Sequence, residues 1–524
     1  MTGRSLAWSL LRTIERGGID MTDNTACGAA YTEGGLTTYA SRRAHRLAVW
    51  SAPIVACIPA FAEAHAWGAP YYLPVPLWLY AYAATGTLII SFMVLAFTSG
   101  KRLPDTGSRA NRRHEGLRIP AALLRAGQRA STIFVVLLIV SGLAGTQNPF
   151  LNLSMPGFWI WFYLGSVYIS AMFGDIYAFT NPFALLLRVA ARYFPTLETG
   201  RYPYPQRLAW YPALLVYIVL IALELFGAGR PGDVGLFLSG YVAYALAGAY
   251  CVGRERWLRQ FDTFGMLCGL CAKLSPLKWS ASSGNKVTIR LSNPVADIAQ
   301  EKPSHISVVA FLSFMLASTA YDGLRDTATW NAFFWRGVYP HLVHLFPSLA
   351  KNYAMSGEII LTWQWLTFAA IGVGYYGLFR GFCALQAIAS RSSFNGKDVA
   401  RQFYFALLPI ALFYNVCHYF TLFLDQGRKI VALAADPLGL GWKLFSISPN
   451  QDSVAQSLIN AAYIWHAQVI LILVGHVLSV HITHAISMRR RNRAGTTAVN
   501  ELPLLVLTIA LTISGLWILS LPLA

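Results

Sequence analysis

Long apolar segments alternate with short polar ones from residue 47 to the end of the chain. The first apolar run, 47–62, follows the basic segment SRRAHR (41–46). Ten further segments have the length and apolarity of membrane-spanning helices, which need about 20 residues to cross the hydrocarbon core. The pattern therefore predicts an all-α, polytopic transmembrane helical bundle of about ten spans after an N-terminal signal-like segment. The predicted spans are 75–97, 131–145, 157–175, 209–227, 235–252, 306–320, 357–379, 402–424, 461–486 and 503–522.

The first 64 residues are predicted to lie outside this bundle. Residues 1–41 are polar, rich in Gly and Thr and without sustained periodicity, which is typical of a disordered extension. Residues 42–64 combine a basic flank, an apolar core and the pattern A-x-A at 62–64, as a secretory signal peptide does. An uncleaved anchor helix is the alternative. Residues 65–524 are predicted to form a single polytopic membrane domain.

Composition excludes a multidomain soluble protein of this length. Hydrophobic residues make up 56% of the chain and charged residues 12%, with a mean hydropathy of +0.47. Charged residues are about a quarter of an ordinary soluble domain. The lipid bilayer is therefore the expected surroundings of most of the chain.

The net charge of +18 indicates topology rather than a nucleic-acid partner. Most of the 41 Lys and Arg residues lie in alternate loops between the predicted spans, as the positive-inside rule requires of cytoplasmic loops. We therefore expect a protein of the bacterial inner membrane, with the intervening loops on the periplasmic side and no nucleic acid bound. The basic loops are 98–130, 176–208, 253–305, 380–401 and 487–502.

The long cytoplasmic loop 253–305 is too short for a separate enzyme domain. It contains KVTIRL (286–291) after a Ser-Gly turn, which predicts a short strand. The sequence has no Walker, GxSxG or HExxH motif, and its one CxxC lacks the second CxxC of a zinc ribbon. Any chemistry must therefore use the membrane helices and their outer loops.

Polar residues that are unusual in a membrane protein gather at the predicted outer ends of the spans. His418 lies six residues inside the end of the 402–424 span, about 9 Å deep at about 1.5 Å per residue. His466 lies at a similar depth in the ninth span. Ionisable residues within membrane spans are costly, so they are candidates for function. The other candidates on this face are Glu224, Asp322, Asp425, Asp436, His341, His344 and His65.

Imidazole and carboxylate groups together serve two kinds of chemistry. They are ligands of zinc, manganese and iron, and they also act as general acids and bases. A bound metal ion could lower the pKa of water and supply hydroxide. The sequence predicts His418, Asp322 and Asp425 as catalytic residues. It also predicts His418, His466, Asp322 and Asp436 as ligands of a divalent metal ion, the candidate cofactor.

Each candidate has a structural alternative. Asp322 and Asp425 fit solvated helix ends, and His466 fits an interfacial side chain that extends towards water. His476, near the middle of its span, fits a hydrogen bond between helices beside a close-packed glycine. His418 is the hardest to explain structurally, because it is deeper and has polar neighbours.

Nine motifs along residues 65–486 carry a resemblance to a known family. They are HAWGAPYYLPVPLWLY (65–80), FGDIYAFTNPF (173–183), WYPALLVYIVLIALEL (210–225), FDTFGMLCGLCAKLSPL (261–277), RLSNP (290–294), STAYDG (318–323), NVCHYFTLFLDQG (415–427), ADPLGLGW (435–442) and the W-x-x-Q-V…GHVLSVHITH run (465–484). At these motifs the chain resembles bacterial multi-pass membrane proteins named fenitrothion hydrolases. The resemblance implies hydrolysis of small, lipophilic organophosphorus triesters with release of a nitrophenol. His466 stands where an aromatic or apolar residue is expected in that family.

Two other classes of function remain open at this point. A b-type haem protein would pair His418 with His466 or His476 as axial ligands on facing helices. A transporter of metal ions or solutes would use the outer polar cluster as its entry, and His476, His481 and His484 could continue a polar path to the cytoplasmic side.

Overall fold

The computed structural model describes residues 76–98, 116–282, 286–351, 353–390, 395–442, 461–494 and 498–522. Its elements are almost all helices, so the prediction of an all-α polytopic membrane protein is confirmed. The predicted disordered extension 1–41, the signal-like segment 42–64 and His65 lie outside the described residues.

Eight of the described helices are long and apolar enough to cross a membrane. Each overlaps one of the predicted spans, although some ends differ by up to ten residues, as where α2 begins at Ala121 and not at residue 131. The helices are α1 (Leu77–Thr98), α2 (Ala121–Ala144), α3 (Pro231–Val252), α4 (Ile306–Arg325), α5 (Tyr353–Ala389), α6 (Gly396–His418), α7 (Ala461–Ala494) and α8 (Leu502–Ser520). Within α6, a short 3₁₀ segment, Tyr404–Ala406, joins Gly396–Phe403 to Leu407–His418.

The prediction of about ten spans needs correction at two segments. Segment 157–175 begins as a π-helix, Gly157–Gly165, and continues as the helix Ser166–Phe173. Segment 209–227 forms a helix of only 16 residues, Tyr211–Phe226. Hydropathy depends only on composition, so it shows neither a change of helix type nor the early end of a helix. Both segments are therefore predicted as spans.

Shorter elements connect the long helices. The short α-helices are Ser154–Pro156, Tyr177–Thr180, Pro182–Tyr193, Thr196–Thr199, Arg254–Gln260, Thr263–Cys271, Pro294–Gln300, Ala328–Ala332, Tyr339–Leu345, Phe420–Arg428 and Ile430–Ala434. The 3₁₀ segments are Gln206–Leu208, Ala272–Leu274, Pro347–Lys351 and Ala498–Glu501, and a second π-helix is Phe333–Val338.

Three short strands form one antiparallel sheet. They are β1 (Leu117–Pro120), β2 (Leu277–Ser282) and β3 (Lys286–Leu291), in the order β1-β3-β2. The predicted strand KVTIRL is β3, the central strand, so this prediction is confirmed. Strand β1 comes from the first basic loop and β2 and β3 from the third. Two loops predicted to lie on the same side of the membrane are therefore joined by a sheet.

Other basic loops meet at the same end of the bundle, which we call the basic end. Asn181 Nδ2 donates to Asp262 Oδ2 at 2.6 Å, which joins the second basic loop to the third. Arg401 Nε donates to the carbonyl of Ser304 at 2.7 Å, which joins the fourth to the third. These contacts agree with the prediction that the basic loops lie on one side of the membrane.

Helices α4 and α6 run parallel, and α7 runs antiparallel to α6. Asn415 Nδ2 of α6 donates to Thr319 Oγ1 of α4 at 3.3 Å, near the end opposite the Arg401–Ser304 contact. Gln468 of α7 donates to the carbonyl of Cys417 at 3.0 Å, near the same end. Helices α4 and α6 therefore terminate together at the end opposite the basic end, which we call the distal end.

Candidate functional site

The last turns of α4 and α6 place Asp322 beside His418. The His418 Nε2 atom lies 2.8 Å from Asp322 Oδ2. Asp322 is 8% exposed, whereas 21% of the His418 side chain is exposed. An ionised carboxylate can only accept hydrogen bonds, so Nε2 donates its hydrogen to Asp322. Atom Nδ1 is then the basic nitrogen of the ring.

Helix α6 ends at His418, which corrects the predicted span 402–424. Tyr419 has φ −88° and ψ 11°, outside helical geometry, and the chain resumes as the separate helix Phe420–Arg428. His418 therefore lies at a helix end and not six residues inside one. The predicted depth of about 9 Å was counted along a helix that does not continue.

The Tyr419 hydroxyl joins this pair to a second carboxyl group. It lies 3.0 Å from Asp322 Oδ2 and 2.8 Å from Glu224 Oε1, on the Tyr211–Phe226 helix. Glu224 Oε2 is inaccessible to solvent and has no hydrogen-bond partner among the described residues. We call His418, Asp322, Tyr419 and Glu224 the distal cluster.

A second hydrogen-bonded group lies one turn deeper on the same helices. Asn415 Oδ1 accepts from the Tyr168 hydroxyl at 2.9 Å, and its Nδ2 donates to Thr319. The Tyr168 ring packs on Phe423 with centroids 5.7 Å apart. Segments 157–175 and 209–227, which hydropathy predicts as spans, therefore contribute side chains to these hydrogen-bonded groups. The first supplies Tyr168 and the second supplies Glu224.

Gly323 packs beside the Nδ1 edge of the His418 ring. A Cβ atom at Gly323 would lie 3.4 Å from His418 Nδ1 and 3.1 Å from Cγ2 of Ile518. The contact with His418 would be an ordinary van der Waals contact, whereas the contact with Ile518 would be tight. Glycine at this position therefore keeps a side chain away from the basic nitrogen, and the exposed part of the His418 side chain gives solvent access to the pair.

Arg325 is the cation nearest to Asp322 along α4. Its Nε atom pairs with Asp326 at 3.0 Å, and Nη1 donates to the carbonyl of Leu225. Its guanidinium also lies 5.7 Å from the centre of the Phe226 ring. Arg325 thus links the end of α4 to the helix that carries Glu224. It also places a positive charge at the edge of the distal cluster.

Asp425, the third predicted catalytic residue, bonds to its own chain segment. Its carboxylate accepts from Gln426 at 2.6 Å and pairs with Arg428 at 3.0 Å and Lys429 at 3.7 Å. The structure records no bond between Asp425 and His418. A catalytic role for Asp425 stays a prediction.

The four predicted metal ligands do not form one cluster. Asp436 accepts from the backbone N–H groups of Leu440 at 2.9 Å and Gly441 at 2.6 Å, and so closes a turn. His466 is exposed, and its ring lies edge-on to Tyr80 with centroids 6.4 Å apart. Within the described ranges, no group of three or more His, Cys, Asp or Glu side chains is placed to hold a metal ion.

The remaining histidines are spread over both ends of the bundle. His341 and His344 are exposed on a short helix. His476 is fully buried, and its Nδ1 bonds to a carbonyl of its own helix at 2.7 Å. His484 Nδ1 lies 3.0 Å from Glu501 Oε2, and both side chains are buried. Among the histidines of the described ranges, His418 alone is bonded to a predicted catalytic carboxylate, that of Asp322.

Two features of the distal cluster were missed by sequence reasoning. One is the bridging hydroxyl of Tyr419, and the other is the close packing of Gly323 beside the His418 ring. The sequence places Tyr419 directly after His418 and Gly323 directly after Asp322. Neighbouring positions in the sequence do not show that the Tyr419 hydroxyl contacts Glu224 on a third helix.

Comparisons with protein-family models, with curated proteins and with solved structures found no match to this chain. A functional assignment therefore depends on the chemistry of the distal cluster, with the sequence resemblance as an expectation about substrate.

Proposed function

We propose that this protein is a membrane-embedded hydrolase, with His418 as the general base and Asp322 as the group that orients it. The observation that supports this proposal is the 2.8 Å bond from His418 Nε2 to Asp322 Oδ2, in a pair whose histidine side chain is partly exposed. A base held by a second group is the arrangement that activates water and other nucleophiles.

The proposed substrates are lipophilic organophosphorus triesters such as fenitrothion. Nδ1 of His418 takes a proton from water while the water oxygen bonds to phosphorus. The bond from phosphorus to the aryl oxygen breaks, and a nitrophenolate leaves. The negative charge of Asp322 stabilises the imidazolium that forms, and the partly exposed His418 side chain then releases its proton to solvent.

We place the distal end on the periplasmic side of a bacterial inner membrane. The reason is that the basic loops lie at the other end, and Lys and Arg favour the cytoplasmic side. A triester of this kind dissolves in the bilayer, so a site at the ends of membrane helices would meet a concentrated substrate.

Isotope labelling tests the proposed reaction. Full-length protein in lipid nanodiscs would be incubated with fenitrothion in ¹⁸O-water. We expect nitrophenol release, with the label in the phosphorus-containing product, because the proposed attack is at phosphorus. Empty nanodiscs are the control. Release no faster than in empty nanodiscs, or label in the nitrophenol, would contradict the proposal.

Gly323→Ala is expected to slow hydrolysis without unfolding the protein. The added methyl group would lie 3.4 Å from His418 Nδ1 and 3.1 Å from Ile518, and would crowd the nitrogen proposed to take the proton. We expect kcat/KM to fall about 10- to 100-fold, as for other small misplacements near a reacting group. Gly374→Ala is the matched control, because a Cβ there has no neighbour within 4 Å. An unchanged kcat/KM for Gly323→Ala would argue against Nδ1 as the base.

A further inference from the structure

Tyr419 has one hydroxyl hydrogen but two carboxyl oxygens within bonding distance. Glu224 Oε1 lies at 2.8 Å and Asp322 Oδ2 at 3.0 Å. Ionised carboxylates only accept hydrogen bonds, so two of them would compete for this one hydrogen. The carboxylate without it would face a hydroxyl lone pair at short range. A proton on one of the two carboxyl groups removes this conflict, because the protonated group donates to the Tyr419 oxygen.

The surroundings of the two carboxyl groups decide where this proton sits. Asp322 Oδ2 also accepts from His418 Nε2, and such a bond favours the ionised form. Glu224 Oε2 is inaccessible and has no partner among the described residues, where a negative charge is costly. The nearby cation Arg325 pairs with Asp326 and not with Glu224.

A buried carboxylate elsewhere in the protein differs from Glu224 in its hydrogen bonds. Asp262 is 1% exposed, and both of its oxygens accept hydrogen bonds. Oδ1 accepts from the Tyr241 hydroxyl at 2.7 Å, and Oδ2 accepts from Asn181 at 2.6 Å. Glu224 has a bond to only one of its two oxygens.

We propose that Glu224 is a neutral carboxylic acid and a positioning residue of the distal cluster. Glu224 donates to Tyr419, and the Tyr419 hydrogen then points to Asp322. Asp322 Oδ2 thus accepts from both Tyr419 and His418. This direction of bonds keeps Asp322 ionised, fixes the His418 hydrogen on Nε2 and leaves Nδ1 as the base. The catalytic consequence rests on the proposed function, whereas the protonation of Glu224 does not.

Infrared spectroscopy tests the protonation directly, without a substrate. A neutral carboxylic acid has a carbonyl stretching band above the amide I band, and this band moves in heavy water. Full-length protein in lipid at neutral pH should show such a band. We expect Glu224→Gln to abolish it, and we expect ¹³C-carboxyl labelling of glutamate, but not of aspartate, to lower its frequency. Glu255→Gln, at an exposed ion pair with Arg259, is the control and should leave the carboxylic-acid band unchanged.

Three infrared results would overturn the assignment. They are the absence of the band from the unsubstituted protein, its persistence in Glu224→Gln and a shift of the band on ¹³C-carboxyl labelling of aspartate. The last result would indicate that Asp322 holds the proton. Each can be observed even if the protein hydrolyses no triester, so failure of this inference is distinguishable from failure of the proposed function.

Rates of hydrolysis test the positioning role. Gln carries an N–H donor in place of the acid hydrogen, so Glu224→Gln should retain most of the rate. Glu224→Leu removes the donor and should lower kcat/KM about 10- to 100-fold, as loss of an orienting group does. Equal rates for the Gln and Leu variants would contradict the role, because a merely structural side chain would not require a donor.

Discussion

His418→Ala is expected to lower nitrophenol release from fenitrothion by about 10²- to 10⁴-fold, the usual contribution of a general base. The side chain is partly exposed at the end of α6, so its removal should change the thermal unfolding temperature little. The measurement is kcat/KM of purified full-length protein in nanodiscs, alongside its thermal unfolding curve.

A second histidine serves as the control for this variant. His344 is exposed on the short helix Tyr339–Leu345, and we expect His344→Ala to retain the full rate. A His418→Ala protein that hydrolysed fenitrothion at the normal rate would remove His418 from the mechanism. Equal losses in both variants would indicate a general effect of histidine replacement.

Asp322→Asn should cause a loss of similar size, about 10²- to 10⁴-fold. Asparagine keeps the shape of the side chain, but it lacks the charge that stabilises the imidazolium. Its amide can also present N–H to His418 Nε2, which would place the imidazole hydrogen on Nδ1 and remove the base. The loss should appear in kcat and not in KM alone, because the charge develops in the transition state.

Asp425→Asn is the matched comparison for this second variant. Asp425 lies on the helix that follows His418 and pairs with Arg428 and Lys429. We expect its replacement to leave the rate within about threefold, as for most side chains outside a reacting group. A large loss in Asp425→Asn together with a normal rate in Asp322→Asn would assign the orienting role to Asp425.

The general architecture was predictable because hydropathy and charge act along the sequence. Each of the eight long helices has the apolar length that the bilayer requires. The strand β3 was predictable as well, since KVTIRL alternates after a turn. The structures of segments 157–175 and 209–227 could not be predicted from hydropathy, because a π-helix and a 16-residue helix have the same apolar composition as a span. Their prediction requires information on packing.

Part of the distal cluster followed from topology. His418, Asp322 and Glu224 were expected at one face because their spans end there, and the structure joins them through Tyr419. Placing residues on one face does not determine which of them touch. His466 was expected at that face as well, yet its ring packs edge-on to Tyr80 and its side chain is exposed.

The haem and transport alternatives stay predictions with their own tests. In the structure His418 Nε2 is occupied by Asp322 and His476 Nδ1 by a carbonyl of its own helix. A Soret band in the visible spectrum of purified protein would indicate haem. Uptake of solute or metal ions by protein-containing liposomes would indicate transport.

The central claim is that His418 and Asp322 act as one unit in hydrolysis. The most direct test compares kcat/KM for fenitrothion among the unsubstituted protein, His418→Ala, Asp322→Asn and the double variant. Residues that act as a unit are far from additive, so we predict a double variant about as slow as His418→Ala alone. A double variant slowed by the product of the two single losses would contradict the claim.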